Sequence, residues 1–322
     1  MAHEIETMAY AGETPWHGLG NKVNPMQTVE EWQVTAGLNW QVSKRPVLFA
    51  GQCLPGANNG LHTFKDKFVL TRDSDERAFS VVSGRYKPVQ PKEILEFFRT
   101  LVDNFGMTIE TAGSLKDGQR IWALAKTGNA HEVMGVDRVD GYLLLATSYD
   151  LTFSTLAQFT SVRVVCNNTL QQSFAQHSGR VSIPHFRDFN MDQVKTELGV
   201  GHAQWQSFTA ALDAIAKIKL DFIKAKEVLG QAFSVDLGAE LNRGDNKVKI
   251  GHINNVIDLF SGKAIGSDIA GQTGWGLVNA ATEYMDQRKR AHNAGNRIDS
   301  AWFGEGAVLK QRVFNEVLAL AA

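Results

Sequence analysis

Four strand-like segments follow one another between Met107 and Thr160. "MTIETAG" and "QRIWALAK" alternate in polarity, "GYLLLATS" is a continuous apolar run, and "TFSTLAQFT" alternates again. Parallel pairing needs a crossover connection, usually a helix, and the gaps between these segments are too short for one. They therefore predict antiparallel neighbours, the first two joined by a turn at "GSLKDG". The continuous run predicts a central strand buried on both faces.

The flanking sequence sets the rest of the order. Residues 1–30 read as an irregular arm, punctuated by Pro15, Gly18, Gly20 and Pro25. "TVEEW" carries the threonine-x-x-acid signature of a helix start at Thr28, predicting a short helix to about Gly37. "LNWQVSKRPVLFA" reads as extended, "PGANNG" as a loop, and "KFVLTRD" with "RAFSVVSGRYKPVQ" as a hairpin. "PKEILEFFRTLVDNFG" predicts a helix, with Pro91 in its first turn, an apolar face of Ile94, Leu95, Phe98, Leu101 and Val102, and Gly106 just past its end. Beyond about residue 185 the period becomes helical. Trp205, Phe208, Leu212, Ile215, Ile218 and Phe222 predict one long helix, and further helices are expected near 250–260, 275–292 and 306–320.

The expected fold is thus α+β: an antiparallel-rich sheet with a packed helix over about 30–190, then a mainly helical part over 190–322. With 322 residues the chain can bury a core without disulfides or metal. Its net charge of −1 excludes a uniformly basic nucleic-acid binder, so any such binding must come from a local patch. Cys53 and Cys166 form no C-x-x-C pair and are expected to be free thiols. No cofactor is implied. The first twenty residues carry no apolar run, which predicts no signal peptide. No run approaches the length of a membrane span.

Few residues suggest catalysis. His17, in "PWHGLG", reads as a general base or metal ligand, or as a polar cap on an arm pinned by Trp16. Cys166, with His177 and His185 downstream, reads as a nucleophile or as a small buried hydrophobe. The carboxylates do not pair as a two-metal site would require, and there is no phosphate-binding loop with its lysine.

Basic residues beside aromatics are the better lead. "SGRYKPVQ" carries Arg85 and Lys87 around Tyr86. On a strand, Arg120, Trp122 and Lys126 share one face, and cations beside rings suit single-stranded nucleic acid. The alternative is a solvated face around a buried tryptophan. Lys219 and Lys226 fall on the apolar stripe of the long helix, whereas Lys217 and Lys224 lie opposite it. Arg288, Lys289, Arg290 and His292 form a further basic cluster. Finally, "TSVRVVCNNTL" sets Arg163 among valines and then stops with Asn167 and Asn168. This reads as a strand entering a helix, with one asparagine as N-cap. Arg163 then either contributes to a phosphate site at the helix start or pairs with an internal acid such as Asp150.

"TPWHGLG", "VQPKEILEFFRTL", "AGSLKDGQRIWALA", "YLLLATSYD", "TSVRVVCNNTL" and "GWGLVNAATEYMDQ" together resemble the family called domain of unknown function 932, over Pro15 to Lys310. The family's pattern of histidine or tyrosine, aspartate, then glycine-serine reads "YDLTFS" here, a departure that puts a tight turn after Asp150 in question. The resemblance implies a phage- or plasmid-encoded protein in a bacterial cytoplasm. It brings no settled activity. The expected function is single-stranded nucleic-acid binding, with annealing by a homo-oligomer as its fullest form. A hydrolase or nuclease using His17 or Cys166, and a protein that acts on a host factor, are the alternatives.

Overall fold

A computed structural model describes residues 5–12, 20–24, 27–51, 60–163, 168–171, 180–190, 192, 196, 201–237, 246–291 and 294–321. Eight strands form the main sheet: β1 (Ile5–Ala11), β2 (Asn21–Val23), β6 (Thr108–Leu115), β7 (Arg120–Val133), β8 (Asp137–Ser148), β9 (Thr155–Arg163), β10 (Asn168–Gln171) and β11 (Arg180–Ile183). Their order is β10-β9-β8-β7-β6-β1-β2, with β11 also paired to β9. From β6 to β9 every pairing is antiparallel, as the short connections require. A second sheet takes β3 (Val42–Ala50), β4 (Leu61–Arg72) and β5 (Ala78–Ser83) in sequence order.

Alternation along β7 and β8 gives the main sheet two apolar faces. One carries Ile121, Ala123, Ala125, Leu143 and Leu145. It packs on α1 (Val29–Thr35) and α2 (Pro91–Phe105) and shares its core with Val42, Leu70 and Val82 of the second sheet. The other carries Trp122, Leu124, Tyr142 and Leu144 and packs on Ile298 and Trp302 of α8 (Ala294–Trp302). The α1 start is the expected capping box: Glu31 N–H donates to Thr28 Oγ1, and Thr28 N–H donates to Glu31 Oε2. Gly106, just past α2, takes a positive φ of 66°, which suits a helix end.

The remaining helices are α3 (Gly201–Lys217), α4 (Phe222–Phe233), α5 (Lys247–Asp258), α6 (Ser267–Ala270), α7 (Gly274–Glu283) and α9 (Glu305–Ala319), with π-helical turns extending α5 and α7 to Lys263 and Arg288. Their core meets the sheet through Val133 and Val139. Trp205 of α3 lies so close to Gly141 of β8 that a Cβ there would approach its ring to 2.9 Å. Buried Trp275 donates its indole N–H to Asp137 of β8 at 2.8 Å.

Three expectations are corrected. The stretch read as an irregular arm contains β1, an inner strand of the main sheet, and β2 at its edge. Met8, Ala9, Tyr10 and Ala11 are all buried, so the strand shows no alternation to read. The long helix is two helices. Between them Lys219 bridges to Thr273, and Leu220 N–H donates to Gln272 O, so this backbone pairs outside any helix. Asp221 then caps α4, and Phe222 lies half exposed rather than on the stripe. Asn168 does not cap a helix. It opens β10, which runs antiparallel to β9 and satisfies the backbone of that edge.

Lys310 of α9 and Asp286 are 2% and 3% exposed and paired at 2.6 Å. Breaking a buried pair leaves an uncompensated charge, at a cost of about 3–5 kcal/mol. Lys310→Met should therefore lower the melting temperature markedly. Adding Asp286→Leu should recover part of the loss, as thermal unfolding of the single and double variants will show.

Candidate nucleic-acid interface

Arg120, Trp122 and Lys126 do share a face of β7, and that face is covered. Arg120 is buried at the start of the strand. Its Nε donates to Asp150 Oδ2 at 3.0 Å, its Nη1 donates to Asp299 Oδ1 of α8, and its guanidinium lies 5.5 Å from the Phe153 ring centre. Lys116, in the β6–β7 turn, reaches the same Asp299 at 3.1 Å. Trp122 is 1% exposed and meets Trp302 edge-on at 4.9 Å. Lys126 is half exposed and paired to Asp140 at 2.5 Å. The face thus clamps α8 rather than opening to solvent.

Asp150 sits where the family pattern raised a question. Burial pushes its carboxyl up, but hydrogen bonds from Thr152 and Arg120 outweigh this and hold it below the ordinary value. The Thr152 bonds close a tight turn after Asp150, and Leu151 adopts a φ of 64° within it. The turn that glycine-serine would favour is therefore made with a leucine in a left-handed conformation.

The other expected residues do not converge on Arg120. Arg163 ends β9, opposite Val139 and Asn168, while Arg120 stands opposite Ser148. Ser148 and Val139 are nine residues apart on β8, about 30 Å along a strand. The side chains of Arg163 and Asn168, and all of His17, Cys53, Cys166, Asn167 and His177, lie outside the described residues. Lys219 and Lys226 are exposed, on the α3–α4 link and on α4. Arg85 is exposed after β5, and Lys87 pairs with Asp188 at 2.6 Å. Tyr86 between them is buried, donates its hydroxyl to Ser148 O and stacks on His185 at 4.7 Å. His185 is thereby fixed in the packing, its Nε2 directed at Phe153 O. Among the described residues no group of three His, Cys, Asp or Glu is placed to hold a metal ion, and no helix is long and apolar enough to cross a membrane.

Sequence reading missed an exposed aromatic surface on β3 and β4. β5 pairs β4 only from Lys67 to Thr71. The stretch of β4 from Leu61 to Thr63 pairs with β3 alone, making a two-stranded ribbon. On one side Phe49 packs against His62 at 5.5 Å and Phe64 at 6.5 Å, yet both phenylalanines stay about half exposed. Pairing shifts between Pro46 and Leu48, and Asp66 takes a φ of 56° there. Lys65 and Lys67 flank Asp66 at that irregularity and are exposed, and Asp66 accepts from Gly84 N–H, the residue before Arg85. Lys44 donates to Gly84 O and Tyr86 O. Lys65, Lys67 and Arg85 have no ion pair among the described residues. "RPVLF" and "LHTFKDKF", cations interleaved with aromatics on facing strands, were the legible signal.

The ribbon is anchored by Arg72 at the inner end of β4. Its guanidinium grips Asp75 at 2.6 and 2.8 Å and Glu6 of β1 at 2.7 Å, and lies over Trp40. The Arg72 hydrogen bonds hold the Asp75 carboxyl well below the usual carboxylate range.

Two outcomes follow from this geometry. Leu151→Gly removes the left-handed strain, about 1 kcal/mol before glycine's entropy offsets part of it, so the variant should melt slightly higher than the parent. Burial lowers the His185 value, with the Phe153 carbonyl only partly opposing. The sign is that of a depressed base: its contribution is complete above about pH 6.5 and is lost as pH falls toward the folded value. Stability should thus decline from pH 7 to pH 5, and less steeply in His185→Phe, as urea titrations across that range will show.

The chain matches the family model described as Domain of unknown function (DUF932) over residues 78–302. No curated protein and no solved structure matches it. The family match takes in the main sheet from β6 onward and the helices through α8, with both carboxylates of the Arg120 clamp. With more than two thirds of its length covered, the chain belongs to the DUF932 family.

Proposed function

We propose that this protein binds single-stranded nucleic acid on the β3–β4 ribbon, as a protein of a mobile element in a bacterial cytoplasm. Annealing of strands by a homo-oligomer is the fullest form of the reading. The observation that carries it is that half-exposed Phe49 and Phe64 stand on the same ribbon as exposed Lys65 and Lys67, with exposed Arg85 following Gly84, and that none of the three cations has an ion pair among the described residues. Rings stack on bases of any sequence, and cations track the phosphates. A chain of net charge −1 needs such a local concentration to bind a polyanion. Duplex DNA hides its base faces, so single strands should bind more tightly.

Fluorescence anisotropy with labelled oligonucleotides tests the reading. Binding should weaken steeply with salt, and Lys65→Ala and Lys67→Ala should each reduce the salt slope by about 1. Phe49→Ala and Phe64→Ala should each cost about 1–3 kcal/mol, the usual worth of a stacked base. Arg120→Leu should lower the melting temperature and leave the affinity of the folded fraction unchanged. No binding at micromolar protein in low salt would remove this function. The exposed Leu48 and Leu61 on the other face of the ribbon would then favour a protein partner.

A further inference from the structure

A second site lies apart from the ribbon. Between β9 and the α8–α9 corner is a cavity of about 280 Å³. Three aromatic rings bound it: Phe153 and Phe303, stacked at 5.0 Å and 18°, and Trp302. Two carboxamides also line it. Gln158, on the same face of β9 as Leu156, is 3% exposed, and its Nε2 has no hydrogen-bond partner among the described residues. Gln311 of α9 donates its Nε2 to Asn315 at 2.9 Å, and its buried Oε1 has no partner among them. Arg312 also lines the cavity, is exposed, and has no ion pair among the described residues.

Buried polar groups are nearly always hydrogen-bonded, so an unmade bond asks for an explanation. Here two residues that line one cavity carry, among the described residues, a donor and an acceptor left unmade. The cavity is far larger than one water, whose share of liquid volume is about 30 Å³. Aromatic walls suit a flat ring. A donor and an acceptor suit a ring edge that presents the complementary pair. A guanidinium outside suits an anion joined to that ring.

We propose that this cavity binds a nucleotide, with the base among Phe153, Trp302 and Phe303, its polar edge on Gln158 and Gln311, and its phosphate on Arg312. Adenine fits, because its N7 accepts and its N6 amine donates, the complement of a Gln158 donor and a Gln311 acceptor. The nucleotide comes either free in solution or as a base turned out of a single strand. The site shares no residue with the ribbon, so neither assignment depends on the other.

Isothermal titration of the full chain with AMP, GMP, CMP and UMP tests the proposal. Saturable binding with AMP tightest is expected. Gln158→Leu should weaken it on the order of tenfold. Replacing an unpartnered buried amide with an apolar group of similar size should leave the melting temperature unchanged or higher, which confirms that this variant folds. Arg312→Ala should weaken AMP and leave adenosine unaffected. Competition by a short oligonucleotide would identify a base within a strand, and lack of competition a free nucleotide. In Phe49→Ala/Phe64→Ala, AMP should bind as in the parent even if oligonucleotide binding is lost. No saturable binding of any nucleotide at about 1 mM, a weak-binding limit near −4 kcal/mol, would overturn the assignment. So would AMP affinity indifferent to Gln158→Leu, or benzoate binding as tightly as AMP.

Discussion

The guanidinium of Arg120 holds together parts of the chain that are far apart in sequence. It begins the longest strand of the main sheet, takes one carboxylate from the β8–β9 turn, and takes another from a helix 179 residues later. In a buried setting each carboxylate alone would be costly to desolvate, and the cation alone equally so. Together they fix where α8 lies, and α8 in turn seals Trp122. The Lys116 contact to Asp299 brings the β6–β7 turn into the same knot. The basic and aromatic face of β7 is therefore there, and α8 covers it. Its partner is the chain itself.

A second guanidinium plays the corresponding part between the two sheets. Arg72 belongs to the small sheet, Glu6 to the large one, and Asp75 to the turn at the end of β4. The inner end of β4 is held by this fork and by apolar packing, while its outer end has only β3 beside it. A two-stranded ribbon is marginal in water by itself. Its persistence depends on the anchored end and on the Phe49–His62–Phe64 cluster. The exposed rings of the ribbon thus also help to stabilise it.

What could be read from the sequence was local. The Thr28 capping box, the Pro91–Gly106 helix, the β6–β7 hairpin and the central β8 run each carry their signal within a dozen residues. β1 was missed because its buried Ala9 and Ala11 give no alternation, and its burial comes from β6 about a hundred residues away. The break after Lys217 has no proline or glycine to mark it; Asp221 as a cap was the available clue. "CNNTL" resembles a helix start, but the open edge of β9 takes it as a strand. At the site, residue types were legible and partners were not. Nothing local distinguishes Arg120, which meets two carboxylates, from Arg85, which among the described residues meets none.

The place of β1 bears on how the chain is made. Ile5 pairs with Leu115 and Tyr10 with Thr111. Synthesis proceeds at about 5–20 residues per second, so β1 waits roughly 5–20 seconds for β6 to be made. Until then the edge of β1 that β6 will take has no partner strand, and short β2 is the neighbour at hand. Once β6 and β7 emerge, closing so long a loop is entropically costly, and slow docking is expected of such non-local pairing. A strand made about a hundred residues before its partner is thus among the last to find its place. Over that interval the waiting strand is open to pairing with the wrong partner.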